Sequence, residues 1–260
     1  MNRIMEEEGY IKRRTAEGHE FEPFSIMKLD MDDVDEMKAL ESEIMAGLAS
    51  PDAFSPDEKE DILEDMKNGA MIFGVFVKGR LRAYRYISFP KRTEANYGRD
   101  IELKGEELDR VVNFTSTIVH PEYRGNRLQR KTMKHALEQL RGTEYRYLIS
   151  TVSPINYYSL KNMIRSGFVI KKIKRKYGKI ADEIDGKMRY ILFRDINDDM
   201  VKRYSKTIVV NNTEIDLQKN LIKNGYIGYD VDELDEFGDY KILFGVPKPT
   251  DIKSMEAKDA

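Results

Sequence analysis

Apolar residues recur along this chain with two periods, one typical of helices and one typical of strands. Residues 1–20 are polar and show neither period, which predicts an arm or a short helix. Residues 21–29 predict a first strand. From Asp33 to Leu48 the apolar side chains recur every three or four positions, opposite a charged face, and this spacing predicts an amphipathic helix.

Capping and turn residues divide the next stretch into a helix and a hairpin. Ser55, with a proline after it and Glu58 three positions on, resembles a capping box and predicts a helix from Ser55 to about Lys67. Two apolar runs, 70–77 and 81–89, flank a Lys-Gly turn and predict a hairpin. Polar residues then predict a long loop up to the next strand.

A strand, a glycine-containing turn and a helix form the centre of the chain. Residues 110–119 are rich in β-branched and aromatic side chains and predict a strand, and a helix opens near Arg124 and ends at Gly142. The elements predicted after them are a strand (145–152), a helix (156–166) and two strands (168–177 and 188–193). This order predicts a mixed α/β fold with one strand-helix-strand crossover.

The last quarter of the chain predicts a strand, a helix and a hairpin of its own. We divide the sequence into an N-terminal arm (1–20), a main domain (21–196), a C-terminal α/β extension (197–248) and a polar tail (249–260) that is expected to lack order. Residues 220–227 echo residues 162–169, since each stretch is a helix end, a glycine and a strand start. Eight positions are too few to show a duplication, so convergence on a helix-stop signal is the preferred interpretation.

Composition and charge exclude several classes of protein. The net charge of -2 argues against a nucleic-acid binder that depends on a global positive field. The absence of cysteine excludes disulfides and thiolate sites, and three scattered histidines do not favour a metal site. No apolar run is long enough to cross a bilayer, and the N-terminus lacks the apolar core of a signal peptide. We expect a cytoplasmic protein with no metal, no nucleic-acid partner and no membrane partner.

The segment 119–129 has the local chemistry of an anion site. A strand ends, a proline turns the chain, and a helix begins at a turn that contains Gly125. The first turn of a helix has unpaired N–H groups and a partial positive charge, which suit a pyrophosphate. Arg124 and Arg127 add positive charge. From these residues alone, an ordinary turn between a strand and a helix with solvated bases explains the pattern equally well.

Two motifs resemble those of the GNAT N-acetyltransferase family. The strand, then His-Pro-Glu-Tyr-Arg-Gly (120–125) and the helix resemble motif A, whose pyrophosphate loop reads Arg/Gln-x-x-Gly-x-Gly/Ala. Asn-Tyr-Tyr-Ser (156–159), with Gly-Phe at 167–168, resembles motif B, in which an asparagine opens a helix that ends in Gly-Phe. The resemblance covers about two thirds of the chain. It implies a GNAT-like acyl-CoA N-acyltransferase fold and transfer of an acetyl group from acetyl-CoA to an amine by direct attack.

The resemblance also implies roles for individual residues. Ile118 and Val119 would contact the pantetheine arm through their backbone, and Asn156 would contact the pantetheine or the sulfur side. The residues implied to hold the pyrophosphate are Arg124, Gly125, Asn126, Arg127, Leu128 and Gln129. Acetyl-CoA would be the co-substrate, without a metal, and the acceptor would be an amine of a small molecule or a peptide. A homodimer is left open.

Two departures from the family's pattern bear on the chemistry. Arg127 and Gln129 replace the two small residues of the loop, where glycine permits close approach and unusual dihedral angles. Met163 stands seven residues after the motif B asparagine, where the family often has a tyrosine that protonates the CoA thiolate. Tyr157 and Tyr158 are the candidate catalytic acids in its place. The alternatives are a thiolate that leaves without a dedicated acid, a non-catalytic acyl-CoA-binding or sensing module, and an interaction protein that uses the C-terminal extension.

No general base stands out in the sequence. Asn113 and Ser116 could hold a water that relays a proton, although ordinary strand residues explain them better. His120 is interpreted as a structural residue at a strand end, and His135 as a solvent-facing residue of its helix.

Three further groups have both a functional and a structural interpretation. A basic run would contact the CoA 3′-phosphate or form the exposed face and edge of a strand. It consists of Lys171, Lys172, Lys174, Arg175, Lys176 and Lys179. An acidic cluster over 230–239 would attract a cationic amine or form a solvated loop. Tyr84 and Tyr86 would line an acceptor pocket or pack across strands.

Overall fold

Eleven strands form one continuous mixed sheet within the described part of the chain. The computed structural model describes residues 4–48, 50–178, 186–198 and 204–248. The strands are β1 (Met5–Thr15), β2 (Gly18–Lys28), β3 (Met71–Val77), β4 (Arg80–Ser88), β5 (Val111–Val119), β6 (Tyr147–Val152), β7 (Val169–Lys176), β8 (Lys187–Asp195), β9 (Tyr204–Asn211), β10 (Ile227–Val231) and β11 (Lys241–Pro247). Their spatial order is β1-β2-β3-β4-β5-β6-β8-β7-β10-β11-β9. Among the described strands, neighbours are antiparallel except for the parallel pair β5 and β6.

Helices cover both faces of this sheet. They are α1 (Val34–Met45), α2 (Lys59–Lys67), α3 (Glu106–Asp109), α4 (Leu128–Leu140), α5 (Tyr157–Arg165) and α6 (Ile215–Lys223). Helices α1 and α2 pack on one face against β3 and β4, and α4 and α5 pack on the opposite face. Every residue of β3 is buried, which explains why the sequence of β3 is a continuous apolar run instead of an alternating one. No helix within the described ranges is long and apolar enough to cross a membrane.

The N-terminal residues form a strand of the sheet, contrary to the predicted arm or short helix. Residues 5–15 make β1, which pairs along its length with β2. The strand is polar because it is an edge strand, and its acidic side chains reach over α4. There Glu7 contacts Lys131 and His135. His135 is therefore buried, and the prediction that it faces solvent is wrong.

The second helix begins later than its capping signal predicts. Helix α2 starts at Lys59, and its N-cap residue is Glu58, which makes no side-chain cap hydrogen bond. Residues 55–57 are instead part of the connection between α1 and α2, which crosses the sheet. The long loop predicted after β4 contains a short 3-10 helix, Tyr97–Ile101, and helix α3.

The C-terminal extension repeats the topology of the unit that precedes it. In the order β6-α5-β7-β8 the last strand inserts between the first two, and β9-α6-β10-β11 does the same. The two units meet where β10 pairs with β7, at Gly228 and Ile170, and a Cβ on Gly228 would lie 2.8 Å from Ile170 Cδ1. The echo seen in eight residues of sequence therefore extends over a whole β-α-β-β unit. The predicted polar tail, 249–260, lies outside the described residues.

Candidate functional site

A cleft of about 610 Å³, open to solvent, lies where β5 and β6 separate. The two strands pair in register only from Val111 and Tyr147 to Phe114 and Ser150. Strand β5 continues to Val119, while β6 ends just before Pro154, which cannot donate a ladder hydrogen bond. The cleft is lined by Ala53, Phe54, Ser55, Arg85, Phe114, Thr115, Ser116, Thr117, Gln129, Ser150, Thr151, Val152, Ser153, Asn156, Ser159, Met163, Tyr177 and Arg189.

The loop before α4 keeps an unusual backbone without the usual glycine pattern. Gly125 has φ of +88° and open space where a Cβ would stand, and Arg127 has φ of +58°, in the left-handed region. Within the described residues, the N–H groups of residues 125–129 donate no hydrogen bond. Arg127, one of the two replaced small residues, thus adopts the conformation for which glycine is the unstrained choice. The loop presents a row of free donors at a helix N-terminus.

Exposed arginines surround these donors. Arg124, Arg127 and Arg130 are exposed, and no carboxylate of the described residues lies within 4.0 Å of their guanidinium groups. Cations without counter-charges beside free N–H groups fit the phosphates of a nucleotide cofactor.

Strand β1 holds this loop in place. Asn126 accepts a hydrogen bond from Lys12 N at 2.8 Å and donates to Lys12 O at 2.6 Å, as a neighbouring strand would. Glu122 pairs with Arg13 at 2.8 Å. The side chain of Asn126 is therefore committed to structure, and only its backbone is available to a ligand.

A buried arginine supports the first turn of α4 from the α4 side of the cleft. Arg85 is 2% exposed, and it donates to the carbonyl of Gln129 at 3.0 Å and to Thr132 Oγ1 at 3.2 Å. Burial lowers the pKa of Arg85 to about 9. No sequence pattern indicates this role, because the residues of β4 alternate like those of an ordinary strand.

A carboxylate next to the cleft was also missed by the sequence reasoning. Ser116, on β5, lines the cleft from the α1 and α2 side, and its Oγ donates to Asp57 Oδ2 at 2.6 Å. Burial raises the pKa of Asp57 to about 6, although Ser116 and Lys38 act in the opposite direction. Asp57 was hidden in the supposed capping box. The proline before it and Glu58 after it both favoured a helix start, so no local signal separated Asp57 from a helix.

The other residue considered for a proton relay has a structural role. Asn113 is buried, accepts from Tyr97 N at 3.1 Å and donates to Ala95 O at 2.8 Å, so it fixes the loop after β4. His120 lies at the strand end, accepts from Glu122 N and contacts Glu43 at 3.0 Å. Both residues hold turns, and neither lines the cleft.

Only some of the motif B residues line the cleft. Asn156 lines the cleft and caps α5 by accepting from Ser159 N at 3.2 Å, and Met163 also lines the cleft. Tyr157 points away, because its hydroxyl donates to Glu233 of the C-terminal extension at 2.9 Å. Tyr158 is 71% exposed and does not line the cleft.

The two strand residues predicted to contact the cofactor lie just beyond the cleft lining. Ile118 and Val119 belong to the stretch of β5 that has lost its partner on the β6 side. Ile118 is buried towards α1 and α2, and Leu128 is buried under α4. Their side chains are thus core residues, and only the backbone of this stretch is available to a ligand.

Three members of the basic run are paired with carboxylates of the loop after β4. Lys174 and Lys176 contact Asp100 at 2.9 and 2.5 Å, and Lys172 contacts Glu102 at 3.3 Å. Strand β7 lies between β8 and β10, but it pairs with β10 only at Ile170, so the basic run lies where β7 has no partner strand on the β10 side within the described residues. Lys179 lies outside the described residues.

The two tyrosines considered for an acceptor pocket are interior residues. Tyr84 and Tyr86 are each 1% exposed, and their hydroxyls donate to Glu41 and Asp65. Burial and these carboxylates raise the pKa of both tyrosines far above the ordinary value. They pack beneath α1 and α2 instead of lining the cleft. The described residues contain no cluster of three or more His, Asp or Glu side chains placed to hold a metal ion.

Two solved structures share this architecture. The chain is similar to the acetyltransferase of the GNAT family from Streptococcus pneumoniae, with 16% identity, a TM-score of 0.50, and coverage of 66% of this chain and 99% of that one. It is also similar to yncA from Salmonella typhimurium, a proposed acetyltransferase with its cofactor acetyl-CoA, with 13% identity, a TM-score of 0.50, and coverage of 68% and 95%. The fold is that of the GNAT acetyltransferases. At these identities the likeness establishes the GNAT fold and no more. No protein-family model matches the sequence, and no curated protein matches it.

Proposed function

We propose that this protein is an N-acetyltransferase that moves an acetyl group from acetyl-CoA to an amine. The observation that carries the proposal is the cleft between β5 and β6, which lies next to a helix N-terminus with free N–H groups. The loop's donors and unpaired arginines fit a pyrophosphate, and the unpaired backbone of β5 fits an extended amide-containing arm. We keep the main domain at residues 21–196, with the extension at 197–248, as part of this proposal.

The chain's own residues would hold the cofactor from two directions. The free N–H groups of residues 125–129 would bind the pyrophosphate, helped by the exposed guanidinium groups of Arg124 and Arg127. The Arg124 N–H already donates to Pro121 O, so Arg124 would act through its side chain. The backbone of Ile118 and Val119 would pair with the pantetheine arm, and Asn156 would contact it from α5. Acetyl-CoA supplies the activated thioester when it is bound. Arg85 would position the loop, because it ties the Gln129 carbonyl to the sheet.

Ser116 and Asp57 would remove the proton of the attacking amine. The Ser116 hydroxyl donates to Asp57, which leaves the lone pairs of Oγ free to accept an N–H from the acceptor. The proton would pass through this hydroxyl to the carboxylate. A base whose pKa lies near 6 is ionised at neutral pH and still basic enough to accept a proton, which is the range in which general bases work best.

Tyr157 and Tyr158 gain no support as acids from their positions. We therefore propose that the thiolate leaves without protonation by either tyrosine. A non-catalytic acyl-CoA-binding module is the second candidate, and the observation that favours it is Met163, which lines the cleft where a tyrosine would act.

Ligand binding and thiol release test the two functions separately. Acetyl-CoA at one hundred times its dissociation constant stabilises the native state by about 2.7 kcal/mol, which a thermal-shift assay detects. We expect Arg127→Glu to weaken this shift. Lys134→Glu, on the same helix but paired with Glu138, is expected to keep it.

Thiol release with a panel of amines then measures turnover. Release that depends on the amine supports the transferase. A thermal shift without release from any amine supports the binding module, and the absence of any shift with CoA compounds overturns both proposals.

A further inference from the structure

Arg189, on β8, is a buried cation without an ion-pair contact among the described residues, although the more distant carboxylate of Asp52 contributes a favourable charge interaction. The residue is 3% exposed and lines the cleft on the side of α1 and α2. Its Nη1 donates to the carbonyls of Asp52 at 2.9 Å and Met188 at 2.8 Å, while its Nη2 is buried and has no hydrogen-bond partner. Among the described residues, no carboxylate lies within 4.0 Å of this guanidinium.

A buried guanidinium with an unpaired N–H destabilises the fold unless an acceptor binds to it. Buried charges in proteins are normally paired, and a buried N–H without an acceptor loses its hydration without compensation. Burial lowers the pKa of Arg189, yet a guanidinium stays protonated under ordinary conditions. If Arg189 only anchored the loop between α1 and α2, Nη1 would be sufficient, because Nη1 makes the hydrogen bond to the Asp52 carbonyl. The free Nη2 at the cleft therefore indicates an acceptor atom that arrives from solution.

The surroundings of Arg189 favour an oxyanion. The guanidinium lies over the Tyr177 ring, 5.5 Å from its centroid, and the Tyr177 hydroxyl contacts Thr151 Oγ1 at 2.7 Å and the Tyr97 hydroxyl at 3.4 Å. Lys187, on the same strand, donates only to the carbonyls of Pro51 and Phe54 within the described residues. This side of the cleft thus presents positive charge and hydroxyl groups.

The proposed base, Asp57 with Ser116, lies across the cleft from Arg189. Asp57 and Ser116 flank the cleft at β5, and Arg189 projects from β8, with β6 between the two strands. Neighbouring strands are about 4.8 Å apart, so β5 and β8 are separated by roughly 10 Å before their side chains lean inward. A small molecule can reach both groups at once.

We propose that Arg189 binds an oxyanion group of the acceptor and thereby selects small amines that also carry a carboxylate or a phosphate. The inference rests on the proposed acetyl transfer. The amine would be placed at Ser116, and the oxyanion would accept from Nη2 of Arg189. A charge-assisted bond to a planar guanidinium is strong and directional, which suits it to selection.

Matched acceptors test this proposal by thiol release. We would compare an amino acid, the amine formed by its decarboxylation, and the corresponding aminophosphonate. The expected kcat/KM is at least about tenfold higher for an acceptor with an oxyanion than for the bare amine. The carboxylate and phosphonate arms identify which oxyanion is preferred. Equal or better use of the bare amine overturns the inference, while amine-dependent thiol release itself leaves the proposed function intact.

Two substitutions on β8 test whether Arg189 causes the preference for an oxyanion. Arg189→Gln is expected to remove the preference, so that kcat/KM for the acceptor with an oxyanion falls by at least about tenfold relative to kcat/KM for the bare amine. Arg194→Gln is the matched control, because Arg194 is also partly buried on β8 but donates to Ser166 O at 2.7 Å, away from the cleft. Preference that survives in Arg189→Gln contradicts the proposal.

A second readout uses the wild-type protein and does not depend on whether a variant folds. In the wild-type protein, the carboxylic acid that lacks the amine should protect against thermal unfolding and should compete with the acceptor. The neutral amide of that acid should do neither. Equal effects of acid and amide would overturn the proposal even if Arg189→Gln does not fold.

Discussion

Replacing Asp57 with asparagine should make the protein more stable and much less active. Asparagine keeps an acceptor for the Ser116 hydroxyl but cannot take up a proton. Because burial raises the pKa of Asp57 from 3.8 to about 6, its ionised form opposes folding. That rise corresponds to about 3 kcal/mol at pH values above 6.

The sign of this effect fixes its pH dependence. The carboxyl group is neutral in both folded and unfolded states below about pH 4, so its cost to folding is absent there. The cost grows between pH 4 and pH 6 and is complete above pH 6. Urea denaturation should therefore show Asp57→Asn to be up to about 3 kcal/mol more stable than the wild type at pH 7.5, and equally stable near pH 4.

Activity should respond in the opposite direction. Removal of a general base costs about 10²- to 10⁴-fold in kcat, and wild-type activity should decline below about pH 6 as the base becomes protonated. Asp65→Asn is the control, because Asp65 lies on the same face and accepts from the Tyr86 hydroxyl, and Tyr86, unlike Ser116, does not line the cleft. The reasoning is refuted if Asp57→Asn keeps near wild-type kcat, or if its activity retains the decline near pH 6.

Three further substitutions test the loop, the motif B tyrosine and the sheet. Arg127→Gly should be about 1 kcal/mol more stable to urea than Arg127→Ala, because both lose the guanidinium but only glycine is unstrained at φ of +58°; equal stabilities would contradict this account. Tyr157→Phe should lose about 1 kcal/mol of stability with the Glu233 hydrogen bond and keep its kcat, whereas a hundredfold loss of kcat would restore the catalytic role. Gly74→Ala should cost about 1–3 kcal/mol in chemical denaturation, because the new Cβ would lie 2.4 Å from Leu29 Cδ2; a neutral result would mean that the leucine moves freely.

The sequence by itself determined the elements whose signals are local. Periodic apolar positions predicted α1, α4 and α5, and glycine and proline marked where they end, since 3.6-residue periodicity and capping depend on neighbours a few positions away. The strand, turn and helix around Gly125 were found for the same reason, because the motif is contiguous in the chain. The GNAT-like fold was implied by the resemblance of the two motifs to those of the family, and the order of the predicted elements agreed with it.

Only the tertiary structure decided which side chains meet. Strand β1 was missed because its residues are polar, and they are polar because an edge strand faces solvent and the charged surface of α4. His135 became a buried residue only when Glu7 came to lie beside it, 128 positions earlier in the chain. No local pattern contains such a contact.

The residues on the two sides of the cleft were also brought together only by the tertiary structure. Asp57 and Ser116 are 59 positions apart and meet because the connection between α1 and α2 reaches β5. Arg189 lines the same cleft from β8, which comes later in the chain. Burial, which sets the pKa of Asp57 and leaves Nη2 of Arg189 without an acceptor, arises from the packing of whole layers. The sequence thus located the loop proposed to bind the cofactor, and the packed sheet assembled the residues proposed to act on the acceptor.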